Sequence, residues 1–93
     1  MSTSATGKRL ALATGVSVDG DLLSVTLSDG RELTLPVSRF AFLRTATPAE
    51  RAGGTVIASG TALWWEKLED GISVAGLIGV SETELERFAG LYD

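Results

Sequence analysis

The stretch LALATGVSVDGDLLSVTLSDGRELTLP, residues 10–36, decides how the rest of the chain is read. Apolar and polar residues alternate along it with the period of a strand, and two Asp-Gly pairs, Asp19-Gly20 and Asp29-Gly30, punctuate the alternation. A three-stranded meander follows. With Asp19-Gly20 as a two-residue turn, Val16 faces Leu23, Thr14 faces Val25 and Leu12 faces Leu27, so apolar residues meet on one face. At the second turn a two-residue Asp29-Gly30 loop would set Val25 against Thr34. A three-residue Ser28-Asp29-Gly30 loop, with Gly30 left-handed, sets Val25 against Leu33 and Leu23 against Leu35, and is the pairing expected.

Working outward, Pro36 ends the third strand because it lacks an N–H for the ladder. Ser38 is expected to cap a short helix, with Val37 and Phe42 as a staple across the cap and Phe40 and Leu43 toward the sheet. Thr47-Pro48-Ala49-Glu50 signals a second start, a capping box with proline at the first helical position, and Gly53-Gly54 stops it quickly. The β-branched and aromatic residues of Thr55 to Trp65 surround Ser59-Gly60, which predicts a second hairpin with Val56 opposite Leu63. Trp64 and Trp65 must then point to opposite faces. Leu68, Ile72, Val74, Leu77 and Ile78 form a further apolar cluster, with Ser73 as the cap of one helical turn. Ser81-Glu82-Thr83-Glu84 is a capping box, and Leu85, Phe88, Ala89 and Tyr92 recur at helical spacing. The fold class expected is α+β: a small antiparallel sheet, made of a three-stranded meander plus a second hairpin, with short helices and a C-terminal amphipathic helix. Residues 1–9 are expected to be a flexible N-terminus and residues 10–93 a single domain.

Composition narrows the chemistry. Ninety-three residues that are 44% hydrophobic suffice for one core, with a net stability of about 5 to 10 kcal/mol. Cysteine and histidine are both absent. That removes disulfides, thiol nucleophiles, the commonest general base near neutral pH and the commonest transition-metal ligand, and it fits a reducing, cytoplasmic compartment. Met1 to Lys8 lacks the apolar core of a signal peptide, and the longest apolar stretch, Val74 to Val80, is broken by Gly76 and Gly79, so neither secretion nor membrane insertion is expected. The formal net charge of −4 disfavours long-range attraction to nucleic acid. Acidity concentrates late in the chain: Glu66, Glu69, Asp70, Glu82, Glu84, Glu86 and Asp93 stand against only Lys67 and Arg87.

Local motifs for catalysis or ligand binding fail on inspection. Asp19-Gly20-Asp21 begins like a calcium loop, but Leu22 and Leu23 follow and no glutamate stands at the required spacing. Gly7-Lys8-Arg9 lacks the upstream glycine and following hydroxyl of a phosphate loop, and Gly53-Gly54 opens no helix. Serines and threonines have no histidine to activate them, and neither Lys8 nor Lys67 neighbours a serine motif. Glu66, Glu69 and Asp70 supply carboxylates, but in so charged a stretch a solvated loop is the simpler reading than an acid–base pair. No cofactor and no metal are expected.

Asp29-Gly30-Arg31, Leu35-Pro36-Val37-Ser38, Phe40, Leu43, Ala46-Thr47-Pro48, Glu50-Arg51-Ala52, Ile57, Trp65, Leu68, Ile72-Ser73-Val74 and Gly76-Leu77 together resemble domain of unknown function 2442, a family of small bacterial and phage proteins. The likeness runs over about residues 14–79. It implies a compact fold with an antiparallel sheet and short helices, and, because members often lie beside small partner genes, an antitoxin-like or other protein-binding role. The departures cluster. The family usually carries an aromatic where this chain has Arg39, a proline at Ala41, and histidine-tryptophan-proline-aspartate where this chain reads Trp64-Trp65-Glu66-Lys67; the acidic run that follows persists as Glu69-Asp70 and ends in Gly71. A shared site at that loop would be rebuilt here.

The functional expectation is a non-enzymatic protein-binding module, an antitoxin-like or inhibitory, regulatory partner, with Arg39, Trp64, Glu66, Lys67, Glu69 and Asp70 as contact residues. Its partner is another protein or complex, one with a basic surface being the variant that suits the acidity, with no direct nucleic-acid or membrane contact and the oligomeric state left open. A phage-type anti-CRISPR inhibitor, whose acidic face blocks a nucleic-acid-binding complex, is one alternative, and a carboxylate-dependent enzyme or small-ligand-binding protein is another. Trp65 is the core candidate because the resemblance keeps it. Trp64 has two readings: an exposed hot spot near Arg39 or Glu66, or a ring packed under the C-terminal helix against Phe88 or Tyr92.

Overall fold

Two turns shape the first sheet, and only the second follows the expected register. The computed structural model describes residues 9–91. Strands β1 (Ala13–Asp19), β2 (Leu22–Leu27) and β3 (Glu32–Pro36) pair antiparallel in chain order. The first turn consists of Gly20 and Asp21, not Asp19 and Gly20, so Val16 lies opposite Val25 and Val18 opposite Leu23. Gly20 takes a φ of +62° at the first central position, the place where a type II′ turn requires glycine. This corrects the sequence expectation, in which Thr14 opposed Val25. A bulge between Ala13 and Gly15 then leaves Thr14 exposed and turns Ala13 and Ala11 into the core. The bulge switches β1 from even to odd inward positions, which no alternation count reveals.

The second turn is the expected one. Gly30 is left-handed at φ +93°, Val25 lies opposite Leu33, and Leu23 opposite Leu35. Asp29 locks it: Oδ1 accepts from the Arg31 backbone N–H at 3.1 Å and Oδ2 from Arg31 Nε at 2.7 Å. The backbone hydrogen bond from Arg31 is the largest of the effects that hold the Asp29 carboxyl below its ordinary 3.8. The N-terminal segment expected to be flexible lies outside the described residues except for Arg9, whose carbonyl accepts from Arg31 Nη2 at 3.0 Å.

After Pro36 the chain makes a 3-10 turn at Val37–Arg39, then two single-turn helices, α1 (Ala41–Arg44) and α2 (Pro48–Arg51). Ser38 does not cap: Pro36 and Phe40 hold the N-cap positions, neither with a side-chain bond, and Val37 is buried in the core instead of stapling. Phe40 packs on the core and Leu43 is fully buried, as expected. The Thr47 capping box forms, with Thr47 Oγ1 accepting from Glu50 N at 3.1 Å and Glu50 Oε1 from Thr47 N at 2.9 Å.

The second sheet contains β4 (Gly54–Ile57), β5 (Ala62–Trp65) and β6 (Asp70–Ser73), again antiparallel in chain order. Val56 opposes Leu63, as the hairpin required. β6 is an addition to the expected hairpin; it is four residues long and sets Ile72 opposite Leu63. Two helices follow, α3 (Val74–Ile78) and α4 (Glu82–Phe88). Ser73 occupies the N-cap of α3 without a side-chain bond, whereas Ser81 makes the full capping box of α4. Leu85 is buried, Phe88 one turn on is exposed, and Tyr92 lies outside the described residues.

One hydrophobic cluster joins the sheets: Leu23, Val25 and Leu27 from the first, Leu63, Trp65 and Ile72 from the second, closed by Val37, Leu43, Val74 and Leu85. At its polar edge stands Arg51. Its Nε donates to Leu43 O at 2.9 Å and Nη2 to Arg44 O at 3.1 Å, satisfying the last carbonyls of α1, while Nη1 reaches Gly20 O and Asp21 Oδ1, both at 3.3 Å. The Arg51 carbonyl accepts the Trp65 indole N–H at 2.9 Å. One residue thus ties α1, α2, the first turn and the central tryptophan together.

Candidate functional site

Alternation along β5 sends Leu63 and Trp65 inward and Ala62 and Trp64 outward. Cross-strand partners share a face, so Thr55 and Ile57 of β4 and Gly71 and Ser73 of β6 complete the outer surface. Trp64 is its one large side chain besides Ile57, and it is half-buried. The reason lies on the neighbouring strand: a Cβ on Gly71 would stand 2.9 Å from Trp64 Cε3, so the ring lies where only glycine leaves room. Its indole N–H donates to Glu66 Oε1 at 2.9 Å. Among the described residues Trp64 forms no ring pair with another aromatic side chain, and Tyr92 lies outside them.

The remaining contact candidates divide. Glu66 and Lys67 sit in the exposed 3-10 turn Glu66–Leu68, where they line a groove with Ala49, Glu50 and Gly53. Glu69 ends that turn in a left-handed conformation at φ +51°, exposed. Asp70 is used locally: its Oδ1 accepts the Gly71 N–H at 2.8 Å, occupying a donor on the outer edge of β6 that another strand would otherwise take. Arg39 is exposed in the turn after β3, in the helical connection of the other sheet, and has no hydrogen bond or ion pair with the other five among the described residues. The structure therefore brings Trp64 and Glu66 together, sets Lys67 and Glu69 beside them in sequence along the rim, and leaves Arg39 apart.

Sequence reasoning missed a hollow at the other end of the same face. There α4 stands beside α3, which packs on β5 and β6, and Ala58, Thr61, Ala62, Ser73, Ala75, Glu82, Leu85 and Glu86 enclose about 180 Å³. Its parts come from three separate segments, so no local motif announces it. Only the parity of Ala62 with Trp64 pointed to a shared surface. Elsewhere among the described residues no group of three acidic, His or Cys side chains is placed to hold a metal ion, and no helix is long and apolar enough to cross a membrane.

The comparisons agree with the resemblance noted in the sequence. No curated protein matches the chain. A crystal structure of a protein of unknown function from Rhodospirillum rubrum ATCC 11170 is similar with a TM-score of 0.70 at 21% identity, covering 83% of this chain and 99% of that one. At that identity the likeness establishes the fold alone. The family model described as a protein of unknown function (DUF2442) matches residues 13–81, from the start of β1 to the cap of α4, and includes the whole Trp64–Asp70 loop. The chain belongs to the DUF2442 family.

Proposed function

We propose that the protein is a protein-binding module, an antitoxin-like or regulatory partner acting in the cytoplasm, and that the outer face of β4-β5-β6 around Trp64 is its contact surface. The observation that carries this reading is Trp64 itself. A tryptophan seated against a glycine, with its N–H oriented by Glu66, is ordered before any partner arrives, and such anchors dominate interface energies. Small neighbours, Ala62, Gly71 and Ser73, leave the ring accessible, and Ile57, 40% exposed, extends the apolar area. The rim is charged at Glu66, Lys67 and Glu69, the usual arrangement around an apolar centre.

Binding of a protein also suits the dimensions better than binding of a metabolite. The hollow beside α4, about 180 Å³, is smaller than the roughly 300–1,000 Å³ of sites that enclose a whole small ligand. Glu66, Glu69 and Asp70 are exposed, without the burial that an acid–base carboxyl pair requires. A tagged pull-down from the native host, read by mass spectrometry with wild type and Trp64→Ala as baits, tests the proposal. A stoichiometric protein captured by wild type and lost with the variant is the expected result; capture of no partner by either bait would sink it.

A further inference from the structure

The hollow beside α4 and the Trp64 ring are two parts of one surface. Residues two apart on a strand point the same way, so Ala62 in the lining of the hollow and Trp64 share the outer face of β5, about 7 Å apart along the strand. The lining is mostly small side chains, Ala58, Thr61, Ala62, Ser73 and Ala75, with the buried Leu85, and Glu82 of α4 lines it while exposed to solvent. Glu86 also lines the hollow but is half-buried, so the exposed Glu82 is the more accessible carboxylate for an incoming cation.

A lining of alanines and Leu85, with two hydroxyls and a carboxylate, fits a long aliphatic side chain that ends in a cation, its methylenes against the apolar residues and its ammonium at Glu82. At the other end, the half-buried ring of Trp64 lies against Gly71, and Glu66 accepts its N–H. An indole face with a carboxylate beside it attracts a guanidinium or ammonium through the ring quadrupole and the neighbouring charge. Between residues 66 and 93 the chain carries seven acidic and two basic residues, so the whole region favours a cationic visitor.

We infer that the partner docks through an extended segment bearing two cationic side chains at positions i and i+2, a lysine entering the hollow beside Glu82 and an arginine or lysine lying over Trp64. The spacing follows from the strand: side chains two apart in an extended peptide are separated by about 7 Å, the same interval as Ala62 and Trp64. This inference rests on the reading of the outer face as the contact surface, and names the chemistry of what it contacts.

The test uses the full chain and a displayed library of random octapeptides. Selection on wild type is expected to enrich peptides with Lys or Arg two residues apart. A synthetic peptide from that pool should lose about tenfold in affinity with Trp64→Ala and with the isosteric Glu82→Gln, and should weaken as salt rises. Circular dichroism melts of both variants establish that they are folded, and Glu82→Gln, a change at an exposed side chain, carries the test if Trp64→Ala melts early. Enriched peptides that depend on Trp64 but lack the paired cations would overturn the two-cation segment and leave the contact face standing. No enrichment, or enrichment indifferent to both variants, overturns the segment and the face together. Self-association of the chain that Trp64→Ala abolishes, seen by sedimentation, would replace the peptide with a second copy and overturn the inference.

Discussion

Trp64 and Trp65 are neighbours in sequence and opposites in use. Each lies across a glycine of the adjacent strand: a Cβ on Gly54 would come within 2.7 Å of the Trp65 ring, just as one on Gly71 would crowd Trp64. Each indole N–H has an acceptor at 2.9 Å. The acceptors differ. Trp65 donates to the Arg51 backbone carbonyl, is fully buried, and makes a T-shaped pair with Phe42 at a centroid distance of 5.5 Å. Trp64 donates to the side chain of the exposed Glu66. Inside, every contact of the ring is part of the fold; outside, the ring is half-buried and its hydrogen-bond partner is a surface carboxylate. Identical residues on one strand thus separate into a core position and a surface position through what stands behind them.

The largest expected effect would break this comparison outright if it failed. Trp65→Ala removes a buried ring and should cost about 3–5 kcal/mol, a large share of the total stability, whereas Trp64→Ala should cost less than half as much. Chemical denaturation followed by circular dichroism measures both, and equal losses would mean that Trp64 is as much core as Trp65. Next in size, Arg51→Lys keeps the charge but cannot reach Leu43 O, Arg44 O and the first turn together. A loss of about 2 kcal/mol is expected, with no change in peptide or partner binding by the folded fraction.

These outcomes bear on what the sequence disclosed. The residues that carry the family resemblance and have an assignable job in this chain work for the fold: Asp29, Gly30 and Arg31 build a turn, Thr47 and Glu50 a capping box, Arg51 and Trp65 the central junction. Turns and caps are local, so they were legible, as was the register across the three-residue loop. The first turn was not, because Gly20 serves as well at the first central position as at the second, and because the bulge at Thr14 follows from pairing rather than alternation. β6 escaped notice because four residues beginning Asp-Gly show too little period to separate a strand from a loop. At the site, the outward parity of Trp64 and its nearness to Glu66 were readable. The hollow was not, since residues near 60, 74 and 85 meet only once α3 and α4 are folded together at the sheet.

Two smaller effects sharpen the division between fold and site. Thr47→Ala and Ser81→Ala each remove a capping box and should cost about 1 kcal/mol in thermal or chemical denaturation. Only the Ser81 change, which loosens the helix forming one wall of the hollow, should also weaken binding at the outer face. Asp29 gives the smallest signal. Its folded carboxyl titrates below the ordinary value, so its stabilisation is present above that value and disappears as pH falls through the lower, folded one. Asp29→Asn should therefore flatten the acid side of the stability profile below about pH 4 and leave binding near neutral pH unchanged.

The most direct measurement compares the two sheet faces in binding. Leu22, 50% exposed on the outer face of the first sheet, is the matched control for Trp64. Isothermal titration of the captured partner against wild type, Trp64→Ala and Leu22→Ala should show an affinity loss on the order of 2 kcal/mol, about 30-fold, for Trp64→Ala and none for Leu22→Ala. An unchanged affinity with Trp64→Ala, or an equal loss with Leu22→Ala, would contradict the assignment of function to the outer face of the second sheet.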